Sequence, residues 1–141
     1  MKMESVLATK GPRVFTVGPQ QTVGEAVKVL VDNNIGAVMV VAGGALQGIL
    51  SERDIIRESS RRPDLLSRAV SEVMTTNVTC GSPGDDVQAV LGTMTAGHFR
   101  HLPVLEDGRL IGIVSIGDLV KAQLEHYQGA VETLETQLMS R

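Results

Sequence analysis

The sequence predicts an α+β fold built from one unit written twice, and three observations carry that expectation. Residues 44–54 (G-A-L-Q-G-I-L-S-E-R-D) and 108–118 (G-R-L-I-G-I-V-S-I-G-D) match at six of eleven positions at an offset of 64. At the same offset, 23–56 and 87–120 share eight identities and nine further apolar-for-apolar pairs over 34 positions. Within each copy, helical spacing alternates with short apolar runs joined by glycine turns. Two copies are too few for a solenoid, so they suggest a pseudo-two-fold pair that buries a shared face.

Each copy opens with an extended segment, Val14–Val17 or Val78–Cys80, that ends at Gly and Pro turn signals. Phe15-Thr16-Val17-Gly18 aligns with Val78-Thr79-Cys80-Gly81, and upstream Glu4-Ser5-Val6-Leu7 aligns with Ser71-Glu72-Val73-Met74. An amphipathic helix follows, with Val23, Ala26, Val27, Leu30 and Val31 at helical spacing, as are Val87, Val90, Leu91 and Met94. Asn33-Asn34 and Gly97 supply the stops. A buried strand comes next, Ala37–Val41 or His101–Leu105, then a turn at Gly43-Gly44 or Asp107-Gly108. Glycine there suits a two-residue hairpin into Leu46–Leu50 or Leu110–Val114, and a second helix begins at Ser51 or Ser115. The order is β-α-β-β-α per copy. The first repeat spans 3–58, a polar junction 59–69, the second repeat 70–122, and a C-terminal helix 123–141.

In that last segment Val120, Leu124, Tyr127, Val131, Leu134 and Leu138 step by 4, 3, 4, 3, 4, a heptad seam. It is either a terminal helix packed on its own domain or a helix–helix contact with a second subunit. Gly129, weaker than Ala in a helix by about 1 kcal/mol, marks where it would bend.

Composition narrows the function classes. The 141 residues amount to about one domain by the usual ~100–200-residue prior. They are 43% hydrophobic and 21% charged, which argues against disorder. A net charge of −3 without a basic cluster gives no footprint for nucleic acid or anionic lipid. One Tyr and two Phe make no stacking platform. Cys80 is the sole cysteine, consistent with a reducing compartment, and its strand position reads as a small core residue. Met1-Lys2-Met3-Glu4-Ser5 lacks the apolar run of a secretory leader, and no stretch approaches ~18 apolar residues. The expectation is a cytoplasmic protein with neither membrane nor nucleic-acid partner. His98, His101 and His126 with one Cys make no metal cluster, and no P-loop, nucleophile elbow or G-x-G-x-x-G is present. No catalytic residue and no catalytic cofactor are therefore expected.

The doubled unit resembles the CBS domain, named after cystathionine β-synthase, in its tandem arrangement (a Bateman module). The resemblance covers roughly residues 3–122 and rests on G-x-L-x-G-I-[LV]-S-x-x-D in both copies. Phe99-Arg100-His101-Leu102-Pro103-Val104 and Val73-Met74-Thr75 add to it. S-E-R-D-I-I-R and S-I-G-D-L-V-K are closest to small bacterial signal-transduction-type members. The resemblance implies two units packed sheet to sheet, whose clefts bind adenosyl compounds such as AMP, ADP, ATP, NAD or S-adenosylmethionine. It also implies a disc-like homodimer that senses rather than catalyses, with an unidentified regulated protein as a further partner.

An adenosine ligand presents a flat base, a vicinal diol and phosphates. An ionised carboxylate accepts only, so one Asp can take both diol hydrogens. Asp54 and Asp118, each three residues after a hydroxyl (Ser51 or Ser115), are the ribose candidates. The same S-x-x-D is also a helix capping box that needs no ligand, and the two roles are compatible. By the resemblance, Thr16 and Thr79 lie on the strand that lines the base pocket, with Val38 and Leu102 as its apolar wall. Phosphates fall to Arg100 and His101, for which the first copy has only Gly36 and Ala37. Arg53 and Arg57 are its substitute cations, at positions where the second copy has Gly117 and Lys121. Two identical sites are not expected.

Overall fold

The structure, a computed structural model, describes residues 1–11 and 13–139. Helix α1 (Met3–Lys10) precedes the first unit, which comprises β1 (Thr16–Val17), α2 (Val23–Asn33), β2 (Ala37–Ala42), β3 (Ala45–Ser51) and α3 (Glu52–Ser59). Short 3₁₀ turns at 65–67 and 70–72 lead to α4 (Val87–Gly97), β4 (His101–Glu106), β5 (Arg109–Ser115) and α5 (Ile116–Met139).

The two hairpins are the same object. Ala37 pairs with Ser51 and Val40 with Gly48; His101 pairs with Ser115 and Val104 with Gly112, and both ladders shift register at the next residue. Each turn holds two residues at positive φ, Gly43-Gly44 at 58° and 78° and Asp107-Gly108 at 52° and 78°, as a twist-matched two-residue hairpin requires. Helices α2 and α4 start on side-chain caps, Thr22 Oγ1 accepting from Glu25 N and Asp86 Oδ2 from Ala89 N.

Three expectations are corrected. The first strand of the second copy is reduced to one parallel bridge, Gly81 to Val104, so Val78–Cys80 is extended but unpaired. Cys80 is consequently exposed and not a core residue. Helix α4 runs through Gly97 and stops at His98, which adopts the left-handed conformation that Asn34 takes after α2.

The cores exchange their N-terminal segments. Val70 and Val73 fill the first unit's core with Val23, Ala26, Leu30, Val38 and Leu50. Met3 and Val6 of α1 fill the second unit's core with Val87, Met94, Leu102, Val114 and Leu119. The aligned pieces 4–7 and 71–74 thus each pack on the other copy, one as a helix and one around a 3₁₀ turn. A third cluster, Ala37, Met39 and Ile49 with Val14, Val78, Leu110 and Ile113, lies between the two sheets, so the units pack sheet to sheet.

This exchange explains the second glycine of the repeated motif. A Cβ on Gly48 would lie 2.7 Å from Thr75 O and 2.8 Å from Met74 Sδ, and one on Gly112 would lie 2.6 Å from Leu7 Cδ2. Gly48→Ala is expected to lower stability by about 1–3 kcal/mol, because the obstacle is backbone held by two bonds to Ile49. Gly112→Ala meets only a movable leucine methyl and costs less. Chemical denaturation of both variants checks the order, and equal losses would contradict it.

Helix α5 is continuous through Gly129, so the helix does not break there. Its apolar seam does not pack on its own domain: Val120, Leu124, Tyr127, Val131, Leu134 and Leu138 are 44–65% exposed. Among the described residues, no helix is long and apolar enough to cross a membrane.

Candidate functional site

Two clefts open where the start of one unit's second helix meets the loop before the other unit's hairpin. The first, about 440 Å³, is lined by Ser51, Arg53, Asp54 and Arg57 from one copy and His98 to His101 from the other, with Thr75 between. The second, about 390 Å³, joins Ser115 and Asp118 to Phe15, Asn34, Ile35, Gly36 and Ala37, with Lys10, Arg13, His101 and Ile113. Both volumes suit a small-molecule ligand.

The capping role of S-x-x-D is realised in both copies. Ser51 Oγ accepts from Asp54 N at 3.2 Å while Asp54 Oδ2 accepts from Ser51 N at 2.9 Å. Ser115 Oγ accepts from Asp118 N at 3.1 Å, and Asp118 Oδ2 accepts from Ser115 N at 2.8 Å. Beyond that shared geometry the two carboxylates differ.

Asp54 is 4% exposed and fully engaged. Oδ2 also accepts from Ser51 Oγ at 3.0 Å, and Oδ1 accepts from Arg57 Nη2 at 2.7 Å and Thr75 Oγ1 at 3.2 Å. Asp118 is half-buried, and its further partner is Lys10 Nζ, 2.6 Å from Oδ2. Its Oδ1 takes no hydrogen bond among the described residues. Partial burial raises the Asp118 pKa, but the Lys10 ammonium and the Ser115 donors outweigh that and hold the carboxyl below its ordinary range.

Of the cations expected at phosphates, Arg53, Arg57, Arg100 and His101 all line the first cleft. Arg57 is spent on Asp54, and Arg53 Nη1 donates to His98 O at 2.9 Å, a clasp between the copies. Among the described residues, His101 alone lines both clefts. Gly36 makes room for it: a Cβ there would lie 3.1 Å from His101 Nε2 and 3.0 Å from Glu52 Oε1. Burial pushes the His101 pKa down, with Lys10 and Arg100 adding to the fall and Glu52 and Asp118 opposing it. The imidazole is therefore neutral near neutral pH.

The base-pocket residues lie elsewhere. Val38 and Leu102 are inside the two cores, 0% and 2% exposed, and present no surface to either cleft. Thr16 and Thr79 are exposed and line neither cleft. The apolar walls are instead Ile49 and Phe99 in the first cleft and Phe15, Ile35, Ala37 and Ile113 in the second.

Residue reasoning missed Lys10, Arg13, Phe15 and Thr75. The signal for the first three was their place at the entry to the first strand, with Arg13 stacked 5.5 Å over the Phe15 ring. Thr75 follows Val73-Met74 in the sequence, which gives it no visible role there. No group of three or more potential metal ligands is assembled among the described residues.

Comparison with known proteins agrees with this architecture. The CBS domain profile matches the chain twice, over residues 7–61 and 70–125. The CBS domain-containing protein YhcV of Bacillus subtilis is 36% identical over 124 residues, covering 88% of this chain and 89% of that one. The CBS-domain containing protein ATU1752 of Agrobacterium tumefaciens has a crystal structure that matches with a TM-score of 0.83 at 41% identity, covering 87% of this chain and 99% of that chain. The CBS domain protein PAE2072 of Pyrobaculum aerophilum, whose structure is a complex with AMP, matches with a TM-score of 0.75 at 25% identity over 84% of this chain and 89% of its own. A profile matched once per repeat, on two units that exchange their leading segments and face each other across their sheets, makes this chain a member of the CBS-domain family in its paired form.

Proposed function

We propose that the chain is a regulatory module, working as a homodimer, that binds an adenosine-containing nucleotide (AMP, ADP, ATP or NAD) in the cleft at Asp118. It acts on an as yet unidentified protein through the shape the ligand favours. Binding shifts such an equilibrium only by the ligand's differential affinity for two states. The observation that carries the reading is the Asp118 carboxylate. It is ionised, one oxygen is without a donor among the described residues, and it faces an apolar wall with cations beside it. A diol suits the carboxylate, a base suits the wall of Ile35, Ala37 and Ile113, and a phosphate suits Arg13, His101 and a displaced Lys10. The complex of PAE2072 with AMP supports this ligand class.

A second reading has its own support. Lys10 on Asp118, and Arg57 with Thr75 on Asp54, give each carboxylate a cationic partner without a ligand, as in an interaction module whose sites have degenerated. A thermal-shift screen against AMP, ADP, ATP, NAD, NADH and S-adenosylmethionine separates the two. A bound ligand stabilises by RT ln(1 + [L]/Kd), about 2.7 kcal/mol at a hundredfold excess over Kd. No shift with any of them would leave the interaction module standing.

His101 offers a finer test. His101→Ala is expected to weaken AMP binding by about threefold to tenfold, the scale of one lost hydrogen bond, and to spare adenosine. The depressed pKa sets the pH dependence. The fold favours the neutral imidazole, so its contribution to stability is complete above the ordinary histidine range and falls as pH drops toward the depressed value. A phosphate reverses the preference. AMP affinity rises from about pH 7.5 to about pH 6 as the ring gains charge, while adenosine affinity stays flat. Calorimetric titration of both ligands at both pH values reads this, and parallel losses in the variant would mean general damage to the cleft.

A further inference from the structure

The seam of α5 is an apolar stripe on a helix that extends, by its 24 residues at about 1.5 Å each, roughly 36 Å. From the heptad spacing, Leu124, Val131 and Leu138 take one core position and Val120, Tyr127 and Leu134 the other. Lys121, Gln128 and Glu135 flank the stripe along one edge, and Ala130 stands on the opposite edge near its middle. Among the described residues, neither Lys121 nor Glu135 has an ion-pair partner.

We infer that α5 pairs with α5 of a second copy of this chain, antiparallel, in the register that sets Val120 against the partner's Leu138, Leu124 against the partner's Leu134 and Tyr127 against the partner's Val131. This rests on the homodimer reading above and gives it a geometry. The register leaves no seam residue without an apolar counterpart. It also places Lys121 beside the partner's Glu135, and by symmetry Glu135 beside the partner's Lys121. Gln128 and Ala130 then meet their own copies near the two-fold axis, where the small alanine permits close approach. A parallel pair leaves the charges idle: the edge positions facing Lys121 and Glu135 are then Ile116 and Ala130. Antiparallel packing also opposes the helix dipoles favourably, and the contact is isologous and closes at two copies.

Charge reversal in the full chain tests the pairing. Lys121→Glu and Glu135→Lys each convert two attractions into two repulsions, and each is expected to weaken dimerisation by roughly tenfold in sedimentation experiments. The double reversal restores the attractions and returns the affinity to within about twofold of the parent. Both changes are on exposed positions outside the cores. Single variants without effect, or a double variant with summed losses, overturn the register while leaving a homodimer standing. A monomeric parent at micromolar concentration overturns the homodimer as well. Disulfide trapping settles direction. With Cys80→Ser as background, Leu124→Cys mixed with Leu134→Cys is expected to give the mixed disulfide under mild oxidation. Disulfides of Leu124→Cys with itself instead mean a parallel pair and refute the inference.

Discussion

Asp118→Ala is expected to lower affinity for AMP by about 1.5–3 kcal/mol, or roughly ten- to hundredfold, the scale of hydrogen bonds to a charged group. Asp118 is suited to this because its internal partner is replaceable. Lys10 ends an exposed helix terminus and also donates to Ile113 O at 2.7 Å, so it keeps a partner when a diol takes the carboxylate. A phosphate would give the released ammonium a second anion. The ligand thus offers an acceptor to Lys10 and donors to Asp118, exchanging one ion pair for two interactions. A Lys10→Met control separates the halves: adenosine binding is retained and the advantage of AMP over adenosine shrinks. Calorimetric titration reads each variant. Unchanged AMP affinity in Asp118→Ala would remove the diol role and with it the main support for this cleft as the binding site.

The sequence displayed what is local and repeated. Both hairpins, their turn residues, and helices α2 and α4 follow from spacing and from glycine or aspartate at positive φ. The capping box is equally visible, since it lies within four residues. What spacing hides is the choice between two similar cores. Val6 and Val73 are interchangeable by pattern, and each lies in the unit that its neighbours in sequence do not build. The Lys10–Asp118 pair closes a separation of 108 residues and leaves no periodic trace. Val38 and Leu102 show the opposite failure: a strand position reads as apolar whichever face it presents, and here that face is the core. His98 carries no signal as a helix stop, because a left-handed residue after a helix is usually glycine and Gly97 stands next to it.

The same contrast between the copies predicts that Asp54 acts mainly through stability. Asp54→Ala is expected to cost about 2–4 kcal/mol of stability, below the ~3–5 kcal/mol of a wholly buried broken pair because Arg57 is half exposed. The deletion removes the acceptor for Ser51 N, Ser51 Oγ, Thr75 Oγ1 and Arg57 at once, and leaves the start of α3 without its reciprocal cap. Thr75 belongs to the segment whose backbone bonds Ile49 in both directions, so the loss also loosens the exchanged strand crossing. Asp118→Ala breaks a more exposed ion pair together with its own capping bond to Ser115 N and loses less, about 1–2 kcal/mol. In thermal denaturation without ligand, Asp54→Ala therefore melts well below Asp118→Ala, while at a temperature where both are folded its AMP affinity stays near that of the parent. If the two melt together, or if Asp54→Ala loses AMP as severely as Asp118→Ala, then the first cleft reads a ribose too and the division of labour between the copies is wrong.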